Sequence, residues 1–186
     1  MRVTATPEQV QAAFDAVKSD ASFVESRRIV ETGKLPVEML QAMSLRPEIL
    51  DVLAALGPAV YPGGLLERSV KELVILQSSR ANECQFCTQS HIAMMRNVGI
   101  ADEPLAALDD TASRTERERL AIEYTRAAMR DSNNVSDELF DRLKSAFTEP
   151  EIVELTFLIG MINMLNLFNN CLQVRYNNDY APTAQS

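Results

Sequence analysis

Cysteine, histidine and basic charge are all scarce in this chain. Three cysteines in 186 residues are too few for a disulfide framework, so a close pair reads as catalytic, redox-sensing or metal-binding. The 18 Lys+Arg face 26 Asp+Glu, a formal net charge of −8. An acidic surface repels phosphate backbones and leaves nucleic-acid binding without support. Period-2 alternation of useful length is missing, which argues against a sheet. The start, Met1-Arg2-Val3-Thr4-Ala5-Thr6-Pro7-Glu8, has no apolar run of the signal-peptide kind. The most apolar stretch, 152–172, is interrupted by Glu154, Asn163, Asn166, Asn169 and Asn170. It reads as a buried helix rather than a membrane span. The expected location is the cytoplasm.

What is present is ordinary for a globular protein, 46% apolar and 24% charged. Helix punctuation is dense. Thr6-Pro7-Glu8-Gln9 combines an N-cap, a first-turn proline and a capping-box glutamine. Pro47 opens a second helix, with Gly57 as its expected stop. After the turn Tyr61-Pro62-Gly63-Gly64, 65–80 reads as helix. Asn82 reads as the N-cap of a helix ending at Gly99. Capping boxes at 113–116 and 148–151, and Ser136 as a cap, mark three more. The fold expected is all-α, about eight helices in one compact domain. Residues 1–60 would form N-terminal helices and 61–180 the core, with a frayed polar tail after Tyr180.

The sharpest local feature is Cys84-Gln85-Phe86-Cys87-Thr88-Gln89-Ser90-His91. Side chains three and four apart share a helix face, which groups Cys84, Cys87 and His91. His91 is the sole histidine and so the one side chain with an ordinary pKa near neutrality. With Asn82 as N-cap, Cys84 falls at N2, where free N–H groups favour a thiolate. Cys87 instead has His91 one turn away as a base, which leaves the order of attack open. A zinc half-site or inert packing are the competing readings, although a second ligand pair is missing. Glu72, inside 70–76, taken alone reads as a solvated helix edge.

Glu72, a CxxC twelve residues later and a histidine four residues after that give a combined pattern. With 71–76 and Asn82, it resembles the alkylhydroperoxidase D-like branch of the carboxymuconolactone decarboxylase superfamily. The likeness extends over roughly 45–175. It implies an AhpD-like helical bundle assembled as a homotrimer or homohexamer, and a peroxidase or disulfide oxidoreductase without bound cofactor. It further implies a Glu72–His91 proton relay, Cys87 attacking the hydroperoxide and Cys84 resolving the product to a disulfide. A lipoyl-bearing or other thiol protein would be the reductant. On this resemblance Glu72 becomes functional rather than solvated. Phe86 stands where some members carry a further histidine.

Other residues read more plainly. Cys171 is expected to pack in the core, and Asn163, Asn166 and Asn170 to line a polar seam. The 114–119 charge run reads as a solvated helix start, and the methionines as core filler. The alternatives to redox chemistry are a decarboxylase-like lyase, disfavoured by the paired cysteines, and a non-catalytic oligomeric or zinc-stabilised binding protein.

Overall fold

Pro7 opens α1 (Pro7–Val17) where the sequence places it, with Thr6 and Gln9 closing a reciprocal capping box. The computed structural model describes residues 1–100, 103–110 and 112–180; the tail expected to fray lies outside them. Short helices follow: a 3-10 turn at Ala21–Phe23, α2 (Val24–Glu31) and α3 (Glu38–Met43). The longer ones are α4 (Pro47–Ala59), α5 (Arg68–Ala81) and α6 (Gln85–Asn97). After α7 (Pro104–Asp109) come α8 (Glu116–Arg130), α9 (Asp137–Ala146) and α10 (Glu149–Leu172). Among the described residues there are thus ten α-helices and no strand, and eight of those helices have eight or more residues. The all-α reading holds.

The centre of the molecule is α5. Every residue from Val70 to Ser79 is buried, because α6, α8 and α10 pack around it. A helix buried on all sides explains its unbroken apolar run. Fully burying Leu73, Val74, Ile75 and Leu76 contributes about 1.5–3 kcal/mol each. Phe14, Phe23 and Leu50 from the N-terminal helices join the same apolar cluster as Ile75, Leu155 and Leu158.

Such burial obliges the charged residues of α5 to find partners. Lys71 pairs with Glu154 at 3.0 Å, both shielded from water, and also donates to the Gly63 carbonyl. Glu154 in turn accepts from the backbone N–H groups of Leu65 and Leu66. Those two residues are thereby held outside the helix expected from 65, which begins at Arg68 instead.

Three further helix boundaries differ from the sequence reading. Helix α4 continues through Gly57 to Ala59. Gly57 is needed for space, not as a stop: a side chain there would strike the Ser22 hydroxyl. The capping box of α8 is Thr115 with Glu118, since the Ser113 hydroxyl is turned to Asp110. Asn82 ends α5 rather than beginning α6. The other punctuation holds, with Ser136 and Thr148 at their expected caps and Gly99 left-handed at φ 70° just past α6.

Among the described residues α10 alone is long and apolar enough to cross a membrane. One face of it, including Glu154, Asn166 and Asn169, is buried in the bundle. Its opposite face carries Val153, Phe157, Met164 and Leu167, each 51–69% exposed.

Candidate active site

The approach from α5 to α6 sets the cysteines. Glu83 adopts a left-handed φ of 52°. Its N–H bonds to the Arg80 carbonyl, and the Cys84 N–H bonds to the Ser79 carbonyl at 2.9 Å. This double bond pattern is a Schellman termination. It makes Cys84 the N-cap of α6, two positions before the expected N2. The Asn82 side chain, freed from capping, donates to Asn163 and Asn166 at 2.7 and 3.1 Å. Asn166 donates to Ser79, and Asn170 to the Asn82 carbonyl. The polar seam expected on α10 therefore clamps the α5–α6 turn.

Both cysteines of the pair are free thiols and buried. The Cys87 thiol hydrogen-bonds toward Cys84 and is the largest influence stabilising a Cys84 thiolate; burial opposes it. The Cys87 N–H, the Asn166 amide and the Phe86 N–H add to the stabilisation, and the Cys84 pKa falls to about 7. Cys87 is pushed up, first by serving as donor to Cys84, then by burial and by the neighbouring charge. The pair thus shares a proton, with the negative charge favoured at the helix end. Access runs the other way. Cys87, not Cys84, lines a cavity of about 110 Å³.

That cavity is apolar over most of its wall, with Met39, Leu40, Phe86, Met94 and Leu165 among its lining, and His91 and Tyr61 beside Cys87. Phe86 packs edge-on against Tyr176. Tyr180 closes the far side, its hydroxyl 3.3 Å from that of Ser26. The segment carrying both tyrosines is anchored by Glu38, which accepts from the Arg175 N–H and guanidinium.

Glu72 is fully buried, which settles against the solvated edge. Its carboxylate meets His91 Nδ1 at 2.6 Å, the Tyr61 hydroxyl at 2.7 Å and Arg68 Nε at 2.6 Å. Burial by itself would raise the Glu72 pKa; the His91 and Arg68 charges and the hydrogen bonds of His91 and Tyr61 outweigh it and lower it. The carboxylate fixes the imidazole through Nδ1, which leaves the other ring nitrogen for the cavity.

The structure pairs Glu72 with His91 and Cys84 with Cys87, and Cys87 and His91 line the same cavity. Sequence reasoning missed three contributors. Arg68 was readable, since it precedes Glu72 by four residues on one helix. Asn169, whose amide donates to Cys87 Sγ at 3.2 Å, lies three residues beyond Asn166 on the same buried face. Tyr61 carries no local signal. Cys171 is exposed, contrary to the core packing expected, because it falls on the outer face of α10. Arg117 is less solvated than its charge run suggests: it bonds Glu151, Glu67 and the Ala146 carbonyl. Met95 and Met161 are core, but Met164 is exposed. Among the described residues no three His, Cys, Asp or Glu side chains converge as metal ligands, so the zinc arrangement has no geometric support.

Residues 47–127, from α4 to most of α8, match the carboxymuconolactone decarboxylase family. Over 112 residues the chain is 32% identical to the uncharacterized protein YnjA of Escherichia coli K12, covering 59% of this chain and 62% of YnjA. The match thus spans less than two thirds of that relative. ATU0492 of Agrobacterium tumefaciens, a protein of unknown function given an AhpD antioxidant-defence designation, is 26% identical. It superposes with a TM-score of 0.64 over 76% of this chain and 96% of its own. An uncharacterized peroxidase-related protein from Silicibacter sp. TM1040 shares the fold at 19% identity. Its TM-score is 0.75 over 100% of this chain and 93% of its own. Residues 47–127 thus resemble the carboxymuconolactone decarboxylase family, and the chain shares the all-α architecture of AhpD-like and peroxidase-related proteins.

Proposed function

We propose that the protein is a thiol-dependent hydroperoxidase, acting in the reducing cytoplasm. The observation that carries this reading is Cys87 on the wall of an apolar cavity, with the Glu72-bound His91 on the same wall and Cys84 poised behind it. Moving the shared proton to Cys84 or His91 leaves a Cys87 thiolate facing the cavity. It attacks the terminal oxygen of R–O–O–H, the O–O bond breaks, and Cys87 becomes a sulfenic acid while RO⁻ takes a proton from His91 to leave as alcohol. Cys84 then displaces water from the sulfenic acid and closes the disulfide. Two electrons from an external dithiol, a lipoyl-bearing protein by analogy with AhpD-like enzymes, restore the pair.

The apolar lining favours an organic substituent over hydrogen peroxide, and Phe86 limits water at the sulfur. A disulfide substrate would use the same two cysteines without the relay. A decarboxylase-like lyase would have no use for the Cys84–Cys87 pair.

Self-association belongs to the same proposal. Val153, Phe157, Gly160, Met164 and Leu167 recur at alternating four- and three-residue steps, the spacing of a helix seam made for another helix. A trimer or hexamer joined through α10 would cover this uncharged stripe. Phe157→Glu should lower the mass measured by light scattering.

The deciding experiment titrates thiols in the reduced protein before and after one equivalent of cumene hydroperoxide. Loss of two thiols, mapped to Cys84 and Cys87 and reversed by dihydrolipoamide, is the expected result. Unchanged thiols over minutes would remove peroxide as substrate.

A further inference from the structure

Asn169 of α10 donates its amide to the Cys87 sulfur at 3.2 Å, where Asn166 of the same helix also bonds. It is 1% exposed, and the same amide group approaches Met39 Sδ at 3.5 Å. Its oxygen, Oδ1, is buried and has no hydrogen-bond partner among the described residues. A buried amide left half unsatisfied is costly, on the order of 1–3 kcal/mol. Packing does not explain it, since a leucine fills the same volume without a polar group to strand. Sequence reasoning singled out Asn163, Asn166 and Asn170 and passed over this residue. Asn163 and Asn170 hold the α5–α6 turn and Asn166 bonds both that turn and the sulfurs, whereas Asn169 reaches Cys87 with its own oxygen left unpartnered among the described residues.

We infer that Asn169 is a catalytic residue that holds the peroxide headgroup, its N–H on the Cys87 sulfur and its free Oδ1 on the O–H of the hydroperoxide. The inference rests on the peroxidase reading above. The chemistry uses both ends of the amide. The Cys87 hydrogen is directed at Cys84, so the Cys87 sulfur is open to accept from Asn169. That donation biases the shared proton toward Cys84 and the negative charge toward the sulfur that faces the cavity. When the thiolate attacks H–O–O–R, the terminal oxygen moves to sulfur with its hydrogen still attached, and RO⁻ departs to be protonated by His91. The O–H bond is unbroken from substrate to sulfenic acid. A fixed acceptor for that hydrogen therefore orients the hydroperoxide before attack and holds the sulfenic acid afterwards, until Cys84 displaces water from it. Oδ1, at the other end of the amide already bound to the sulfur, supplies such an acceptor.

The test compares the wild type with Asn169→Leu and Asn169→Asp in a Cys171→Ser background, which removes the exposed thiol. Two rates are measured on the reduced, full-length protein: reaction with cumene hydroperoxide, followed as sulfenic acid or disulfide formed, and alkylation of Cys87 by iodoacetamide, located by fragment mass spectrometry. Alkylation reads the N–H contact alone, and peroxide reads both ends. Asn169→Leu is expected to slow the peroxide reaction roughly 10- to 100-fold, and alkylation by clearly less. Asn169→Asp keeps an acceptor but sets a carboxylate against the thiolate, so it is expected to slow alkylation more than Asn169→Leu does. Peroxide reactivity of a folded Asn169→Leu within twofold of wild type overturns the role of Asn169 while leaving the peroxidase reading intact. A wild type inert to hydroperoxide overturns both, and the two failures are told apart by the wild-type rate.

Discussion

His91 Nδ1 lies 2.6 Å from Glu72 Oε2, a contact across nineteen residues of chain that joins the buried centre of α5 to the cavity-facing side of α6. The imidazole cannot turn without breaking it, and the carboxylate stays ionised because Arg68 and Tyr61 bind its other oxygen. Removing either partner tests the relay directly. Glu72→Gln and His91→Gln should each reduce peroxide turnover by about 10²- to 10⁴-fold. Thermal melts should show a cooperative transition in both, with about 1–3 kcal/mol lost in Glu72→Gln from the weakened Arg68 and Tyr61 bonds. Unaltered turnover in both variants would remove the relay from the mechanism.

The thiol pair should titrate near neutrality. A free cysteine ionises at about 8.5, whereas Cys84 is lowered to about 7. The thiolate is therefore present above pH 7 and lost as pH falls through 7. The folded group is the stronger acid, so its ionisation stabilises the reduced fold above the unfolded value, and that stabilisation disappears as pH falls toward 7. Ultraviolet thiolate absorbance of reduced Cys171→Ser protein should rise with a midpoint about 7. In denaturant the midpoint should move to about 8.5, and the Cys84→Ser variant should lose the early step. A native midpoint at or above 8.5 would contradict stabilisation of the Cys84 thiolate by the Cys87 thiol and the neighbouring N–H groups.

Lys71 and Glu154 form an ion pair that water does not reach. Lys71→Met strands the carboxylate and should cost about 3–5 kcal/mol in chemical denaturation. Adding Glu154→Gln keeps acceptors for the Leu65 and Leu66 N–H groups but removes the orphaned charge. The double variant should thus be more stable than the sum of its single changes. Strict additivity would mean that the two charges do not interact.

Glu83 holds a left-handed backbone conformation that disfavours side chains. Glu83→Gly should relieve it and raise stability by about 0.5–1 kcal/mol, measured as the urea midpoint. The same variant should keep the Cys84 titration, because the hydrogen bonds of the termination involve backbone alone. A drop in stability would assign Glu83 a side-chain role.

Most of the helices were legible because their signals are local. Pro7 with Thr6 and Gln9, Thr148 with Glu151, and Ser136 act within one turn. The boundaries that were misread depend on distant atoms: Ser22 decides Gly57, and Glu154 holds Leu65 and Leu66 out of α5. Asn82 was misassigned because a cap residue suits either the end of one helix or the start of the next, and the Ser79 and Arg80 carbonyls made the choice.

The sequence by itself determined the all-helical architecture and the chemical cast of Cys84, Cys87 and His91, since helical spacing puts residues three and four apart on one face wherever the helix goes. It also marked Glu72, through the resemblance. Only the tertiary structure decided which sulfur meets the cavity and that the Cys87 thiol is the main stabiliser of a Cys84 thiolate. The same packing brought Tyr61 to Glu72 and Asn169 to Cys87, and left Cys171 outside. These outcomes follow from how α4, α5, α6 and α10 pack against one another, and a contact between separate helices leaves no periodic trace in either one.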